Sequence, residues 1–123
     1  MDHGYKKLKV YQLAYELAMK VFVISKNFPS EEKYSLPDQI RRSSRSVCAN
    51  IAEAYRKRKY EKHFISKLTD SDSECSETQV WLDFSKDCGY LDIIEYENLF
   101  SKYNEVGKML GSMTNNPSKF IIK

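Results

Sequence analysis

The sequence contains little glycine and little proline, with four glycines and three prolines in 123 residues. Folds built from β-strands need many tight turns and usually contain more of both residues. The scarcity indicates few, long elements and disfavours an all-β protein. Because 41% of the residues are apolar and 30% are charged, the composition is that of a globular domain and not of a disordered chain.

Cysteine is also scarce, and the three residues, Cys48, Cys75 and Cys88, form no Cys-x-x-Cys motif. An odd, unclustered set suits a reducing compartment better than a disulfide framework. The longest aliphatic or aromatic run, at residues 21–24, is far too short for a membrane span. No apolar stretch follows a basic start, so we expect no signal peptide and a cytoplasmic location.

Motifs for metal binding are missing. The segment at residues 70–74 resembles the start of a calcium-binding loop, but Cys75 and Trp81 stand where such a loop needs glycine and an acid. A di-iron bundle needs Glu-x-x-His on two helices, whereas Tyr60 precedes His63 by three residues and His3 lies near the N-terminus. We expect no metal and no cofactor.

Motifs for catalysis are missing as well, since the sequence has neither a glycine-rich phosphate loop nor a Ser/His/Asp pattern. We therefore expect no catalytic residues.

Four segments carry side chains at alternating steps of three and four, which is typical of amphipathic helices. The four stripes are Val10, Ala14, Leu17, Val21, Ile24 and Phe28; Ile40, Ser43, Val47, Ile51 and Ala54; Phe64, Leu68, Ser71, Cys75, Thr78, Leu82 and Ser85; and Tyr96, Leu99, Tyr103, Val106, Leu110 and Met113. They predict helices at about residues 6–27, 36–57, 60–88 and 92–115.

Short connections make sequential helices antiparallel neighbours. The predicted fold is therefore all-α, an antiparallel up-down-up-down four-helix bundle over residues 1–116, with 117–123 as a C-terminal tail. Ser35 is predicted to cap the second helix, with Pro37 in its first turn. Gly89 is predicted to end the third helix, and Asp92, with Glu95 three residues later, to cap the fourth.

Charge is segregated along the chain. Residues 41–62 hold eight cations against two acids, and residues 70–97 hold nine acids against Lys86 alone. A basic helix face can neutralise phosphates and release counterions, which favours nucleic-acid binding. The candidate contacts are Arg41, Arg45, Arg56, Lys57, Arg58, Lys59 and Lys62. The alternatives are a solvated face or one that meets an acidic patch on another subunit.

A second group of polar residues lies beside the core stripe of the second helix, and comprises Arg42, Ser46, Asn50 and Glu53. Polar groups near a core usually need partners, so we expect a buried hydrogen-bonded network between helices or subunits. A catalytic role for Glu53 is the weaker alternative, because the sequence shows no second group for it to work with.

Tyrosine is abundant, with nine residues. Tyr5, Tyr11, Tyr55 and Tyr60 fall towards the basic half of the sequence. Such rings can stack on nucleic-acid bases, or they can line subunit contacts, where tyrosine is enriched.

Residues 35–54, which read Ser-Leu-Pro-Asp-Gln-Ile-Arg-Arg-Ser-Ser-Arg-Ser-Val-Cys-Ala-Asn-Ile-Ala-Glu-Ala, resemble the signature of the "four helix bundle protein" family. That family includes proteins encoded in intervening sequences of bacterial large-subunit ribosomal RNA genes and accessory proteins of diversity-generating retroelements. Matching segments elsewhere are residues 8–11, Phe28-Pro29 with Glu32, residues 68–82 and residues 107–110. Ala54 departs from the pattern, because many members have glycine there.

The resemblance implies an antiparallel four-helix bundle that assembles into a homo-oligomer, typically a ring of five. The retroelement members bind nucleic acid and a reverse transcriptase through a basic surface, and most members have no established function. Our first hypothesis is a non-enzymatic oligomer whose second helix binds RNA, DNA or a nucleic-acid enzyme. The alternative is a protein–protein scaffold with no nucleic-acid role, and an enzyme ranks last.

Overall fold

The computed structural model describes residues 4–122, which form four α-helices and three short 3-10 turns. The helices are α1 (Lys9–Ser25), α2 (Leu36–Arg56), α3 (Glu61–Asp87) and α4 (Ile93–Asn115). Both α1 and α3 pack against α2 and α4, so α1 and α3 occupy opposite corners. Within residues 4–122 there is no β-strand. The predicted all-α four-helix bundle is confirmed.

The predicted stripes form the core. All seven stripe positions of α3 and all five of α2 are buried. Two residues of the other stripes, Ile24 and Tyr96, are only partly buried. They lie at the end of the bundle where α1 ends and α4 begins. The heptad-like spacing therefore located the buried face of each helix.

The polar side chains in the α3 stripe are paired with α2. The Ser71 hydroxyl donates to the Val47 carbonyl at 2.8 Å. The Thr78 hydroxyl donates to Ser43 Oγ at 2.8 Å, and Ser43 donates onward to the Ile40 carbonyl at 3.3 Å. Buried hydroxyls without partners are costly, so these bonds fix how far α3 slides along α2.

Two of the predicted helix ends are confirmed. The Asp92 carboxylate accepts from the Glu95 backbone N–H at 2.8 Å. Gly89 has a φ of +81°, and Tyr90 N–H donates to the Ser85 carbonyl at 2.8 Å, which is a Schellman end. Ser35 occupies the cap position of α2, but its side chain accepts no capping hydrogen bond, so that part of the prediction was wrong.

The described parts of the two chain ends differ from the prediction. Helix α1 begins at Lys9, and Gly4–Lys7 form a separate 3-10 turn. In the expected tail, Pro117–Lys119 form another 3-10 turn, and the Phe120 ring stacks on Phe64 with centroids 6.2 Å apart. Both ends thereby approach the α2–α3 connection. His3 lies outside the described residues.

None of the helices in residues 4–122 combines the length and the apolar character that a membrane crossing needs.

Tyr103 is completely buried, and its hydroxyl has no hydrogen-bond partner among residues 4–122. Burial raises the pKa of this phenol, with smaller contributions from Cys48 and Cys75. Because an unpaired buried hydroxyl costs free energy, Tyr103→Phe is expected to raise the free energy of unfolding by about 1 kcal/mol. Urea unfolding at fixed protein concentration measures this change in the free energy of unfolding.

The matched control for this substitution is Tyr96→Phe, because the Tyr96 hydroxyl donates to Asp83. Removing a hydroxyl that has a partner should leave stability unchanged or lower it. A loss of stability in Tyr103→Phe equal to that in Tyr96→Phe would contradict the expected cost of the unpaired hydroxyl.

Candidate nucleic-acid interface

The outer face of α2 carries the first part of the candidate interface. Arg45 and Arg56 are exposed, and Ala49 lies between them on the same face. Arg41 is partly buried, because its Nε donates to Ser25 Oγ at 2.7 Å. The Phe22 ring lies under the guanidinium groups of both Arg41 and Arg45, at 5.1 and 5.6 Å. Contacts to α1 therefore hold these two arginines in place.

A shallow depression of about 590 Å³ runs along this face and is lined by Asp38, Arg41, Arg42, Arg45, Ser46 and Ala49. Three guanidinium groups make it attractive to anions. The Asp38 carboxylate opposes them at one end, which weakens the depression as an anion site.

Two of the polar residues predicted beside the core stripe of α2, Arg42 and Glu53, form ion pairs with α3. We call this row of ion pairs the α2–α3 seam. Arg42 makes hydrogen-bonded ion pairs with Glu74, at 2.9 Å, and with Glu77. Glu53 pairs with Lys67 at 2.8 Å. The side chains of Arg42 and Glu53 are 53% and 54% exposed, so this seam lies at the surface, whereas the sequence indicated a buried network.

The other two predicted polar residues, Ser46 and Asn50, bond to each other within α2, where Asn50 Nδ2 donates to the Ser46 carbonyl at 3.0 Å.

The ion pairs of the seam shift the pKa values of its cations. The hydrogen bond to Glu74 raises the pKa of Arg42, and the hydrogen bond to Glu53 raises the pKa of Lys67. Arg42 is therefore engaged by acids of its own chain. Glu53 is engaged in the same way by Lys67.

The second part of the candidate interface is the end of the bundle that holds the α2–α3 connection. There the folded chain ends bring three further lysines beside the predicted cations. We call this surface the basic end; its cations are Lys6, Lys7, Arg56, Lys57, Arg58, Lys59, Lys62 and Lys119. Glu61 is the acid of these segments.

Sequence reasoning missed Lys6, Lys7 and Lys119, because they are distant in the chain from residues 56–62. A signal was nevertheless present. In an up-down-up-down bundle, both chain ends lie at the same end as the connection between the second and third helices. The predicted topology therefore implied that terminal lysines would join this cluster.

Within the basic end, Arg58 is held in a defined orientation. Its guanidinium lies 3.6 Å from the centre of the Tyr55 ring, and its Nε donates to the Tyr55 carbonyl at 2.8 Å. In residues 4–122, no carboxylate forms an ion pair with Arg56, Lys57, Arg58, Lys59 or Lys62. These charges are consequently available to an external anion.

The opposite end of the bundle is acidic. The α1–α2 and α3–α4 connections and the adjoining helix turns carry Glu31, Glu32, Asp38, Asp83, Asp87, Asp92 and Glu95 against Lys26, Lys33 and Lys86. Charge is therefore separated along the bundle axis as well as along the sequence. A polyanion is attracted to one end and repelled by the other.

Metal ligands and thiols are two possible sources of chemistry, and among residues 4–122 two of the three cysteines, Cys48 and Cys75, are buried. No three His, Cys, Asp or Glu side chains between residues 4 and 122 converge as metal ligands. Burial raises the pKa of the Cys48 thiol to about 11 and that of Cys75 to about 12. Both thiols are therefore neutral near pH 7 and poor nucleophiles.

Two comparisons with known proteins gave matches. Residues 6–112 match the family described as 23S rRNA-intervening sequence protein. A solved structure from Bacteroides thetaiotaomicron VPI-5482, described as a protein with unknown function from the S23 ribosomal protein family, is similar with a TM-score of 0.78 and 30% sequence identity. The match covers 86% of this chain and 95% of that one. No curated protein matches the chain.

Arg42 and Arg45 have different roles in this geometry, and substitution should separate them. Arg42→Gln removes the ion pairs to Glu74 and Glu77 and is expected to lower the free energy of unfolding by roughly 0.5–1 kcal/mol. Arg45→Gln is the matched control, because it has no carboxylate partner among residues 4–122.

Urea unfolding at low and high salt measures both variants. Because salt screens the ion pairs, the difference in free energy of unfolding between Arg42→Gln and the parent protein should become smaller as the salt concentration rises. Equal effects of the two substitutions would show that the α2–α3 seam adds nothing to stability.

Proposed function

The chain belongs to the 23S rRNA-intervening sequence protein family, and from this membership and the charge distribution we propose a non-enzymatic homo-oligomer that binds nucleic acid through its basic end. The observation that carries the proposal is the group of cations that the fold brings together from three separate segments. Among residues 4–122, no carboxylate forms an ion pair with Arg56, Lys57, Arg58, Lys59 or Lys62. Each lysine or arginine that neutralises a phosphate releases condensed counterions, which favours binding.

The outer face of α2 extends this surface and does not replace it. Arg56 belongs to both, since it is the last residue of α2 and lies at the basic end. Further along α2, Arg42 is neutralised by its ion pairs with α3, and Asp38 opposes the arginines near the start of the helix. Phosphate contact is therefore proposed chiefly at the basic end, with Arg45 as the extension along the helix.

Assembly with further copies is proposed from two apolar patches. The α1 patch comprises Tyr15, Met19 and Val23, one helical turn apart, and the α3 patch comprises Val80 and Phe84; each side chain is about half exposed. A groove of about 530 Å³ between α1 and α4 adjoins the α1 patch, and side chains of the α3 patch on a second copy would fill it.

The position of the two patches favours a ring. Because α1 and α3 occupy opposite corners of the bundle, a contact between the α1 patch of one copy and the α3 patch of the next is heterologous. Heterologous contacts generate rings when the rotation closes. The resemblance to the four-helix bundle family implies five copies, and the basic end stays uncovered in such a ring.

A protein–protein scaffold without a nucleic-acid role is the second candidate. The two apolar patches favour it, because exposed apolar surface marks protein contacts. The two candidates differ in what the basic end does, which the next test addresses.

Substitution of lysines at the basic end should weaken nucleic-acid binding. For Lys57→Gln/Lys59→Gln/Lys62→Gln we expect at least a tenfold weaker affinity for a structured RNA or DNA. The slope of log affinity against log salt should also fall by up to about three, since each lost phosphate contact removes about one. Fluorescence anisotropy across several salt concentrations measures both quantities.

The matched control is Lys26→Gln/Lys33→Gln/Lys86→Gln, which removes the same charge from the acidic end and should bind like the parent chain. Equal weakening of binding in both triple variants would show that the effect comes from net charge alone and not from the basic end. If the intact oligomer binds neither RNA nor DNA at low salt, the scaffold candidate replaces the nucleic-acid proposal.

Blocking either apolar patch should break the assembly. Light scattering is expected to give about five times the 14.4 kDa of one chain for the parent protein, and one chain for Met19→Asp or Phe84→Asp. An equal mixture of the two variants should form a complex of two chains, because each variant keeps the patch that the other lacks.

Circular dichroism should show unchanged helix content in both variants, which excludes unfolding as the cause of dissociation. A mixture that stays at the mass of one chain, or single variants that keep the parent mass, would contradict a heterologous contact between these patches.

A further inference from the structure

A depression of about 600 Å³ opens at the basic end, and its lining is Gly4, Tyr5, Lys6, Tyr55, Arg56, Arg58 and Ile122. Its size falls within the range of small-molecule sites, roughly 300–1,000 Å³. Gly4 has a φ of +60°, a left-handed conformation that favours glycine. The turn at Gly4 carries Tyr5 and Lys6 to one wall, and the end of α2 supplies the other wall.

One cation in the lining, Arg58, is preorganised for an anion. Arg58 is fixed by stacking on Tyr55 and by its hydrogen bond to the Tyr55 carbonyl. Its terminal nitrogens make no hydrogen bond or ion pair with residues 4–122. Within residues 4–122 the lining contains no acidic residue, so a bound phosphate meets no carboxylate of this described lining.

The same lining offers an aromatic surface for a base. Tyr5 is held by an edge-to-face contact with Tyr11, with ring centroids 4.9 Å apart and planes at 68°. No ring among residues 4–122 stacks face to face on Tyr5. A flat, uncharged ring beside three cations matches a nucleotide, which joins a stacking base to a phosphate.

We infer that this depression holds an unpaired nucleotide of a single nucleic-acid strand, with the base on Tyr5 and the phosphate on Lys6, Arg56 and Arg58. The inference rests on the proposed function and adds a preference to it. A duplex keeps its bases inside the stack, so it reaches the cations of the basic end but not the tyrosine. The depression therefore makes the protein favour single strands, loops or frayed ends.

The test compares a labelled oligouridylate of about ten nucleotides with a blunt RNA duplex of similar length, by fluorescence anisotropy. Tyr5→Leu keeps an apolar side chain against Tyr11 but removes the aromatic face. Tyr34→Leu is the matched control, because Tyr34 is an exposed tyrosine in the α1–α2 connection at the acidic end and does not line the depression. Helix content is checked by circular dichroism.

We expect Tyr5→Leu to weaken oligouridylate binding roughly tenfold, the size of one lost base–aromatic stack, and to change duplex binding less than twofold. Tyr34→Leu should change neither. Photocrosslinking of 5-bromouridine in the strand should map to Tyr5, the ring on which the base is placed. Equal effects of Tyr5→Leu on strand and duplex, no effect on either, or crosslinks confined to Tyr60 would overturn the inference.

Two further probes define what the site takes. Uridine monophosphate that binds as tightly as the strand would make it a free-nucleotide site, and oligoglutamate whose binding depends on Tyr5 would make it an acidic-peptide site; either result overturns the strand inference. If the parent protein binds strand and duplex equally and Tyr5→Leu changes nothing, the proposed function survives without this inference. If it binds neither, both fail.

Discussion

The hydroxyl bonds between α2 and α3 are the constraint on which the arrangement of this bundle depends. Thr78 donates to Ser43, and Ser71 donates to the Val47 carbonyl, in a part of the core where the side chains are completely buried. Apolar side chains alone tolerate small slides of one helix along another. A buried hydroxyl does not, because any slide that breaks its bond leaves it unpaired at a cost of about 1–3 kcal/mol.

A fixed register between α2 and α3 has consequences at the surface. It aligns Arg42 with Glu74 and Glu53 with Lys67, so the seam is joined by ion pairs outside the core as well. It also sets where α2 ends and α3 begins, and therefore where the cations of residues 56–62 lie. The charges used in the proposed function are thus positioned by uncharged bonds in the core.

The sequence predicted the helices and their buried faces well, because a helix repeats its inward positions every three or four residues and nothing distant is needed to see it. The end of α3 and the start of α4 were also predictable, since Gly89 and Asp92 act on their nearest neighbours. The predicted capping by Ser35 failed because its φ of −123° and ψ of −106° lie outside the extended conformation that a capping residue adopts, and residue type alone does not determine that conformation.

The candidate site was only half visible from the sequence, for the same physical reason. Arg56 to Lys62 form one continuous run, whereas Lys6 and Lys119 join them only after both chain ends fold back. The exposure of Arg42 and Glu53 was missed because their partners, Glu74 and Lys67, lie on another helix. Local patterns determine which face of a helix is buried, but not which exposed charges meet across two helices.

The proposed ring and the proposed nucleotide site support each other energetically. One phosphate and one stacked base per chain give modest affinity, since each contact contributes only a few kcal/mol at most. The apolar patches lie on the sides of the bundle at α1 and α3 and the basic end lies on its axis, so ring formation leaves every basic end exposed on one rim. A single strand that meets several such sites binds the later ones at high effective concentration, and its overall affinity rises by orders of magnitude without any new contact. A bundle too small to hold a nucleic acid tightly alone would thereby do so as an assembly.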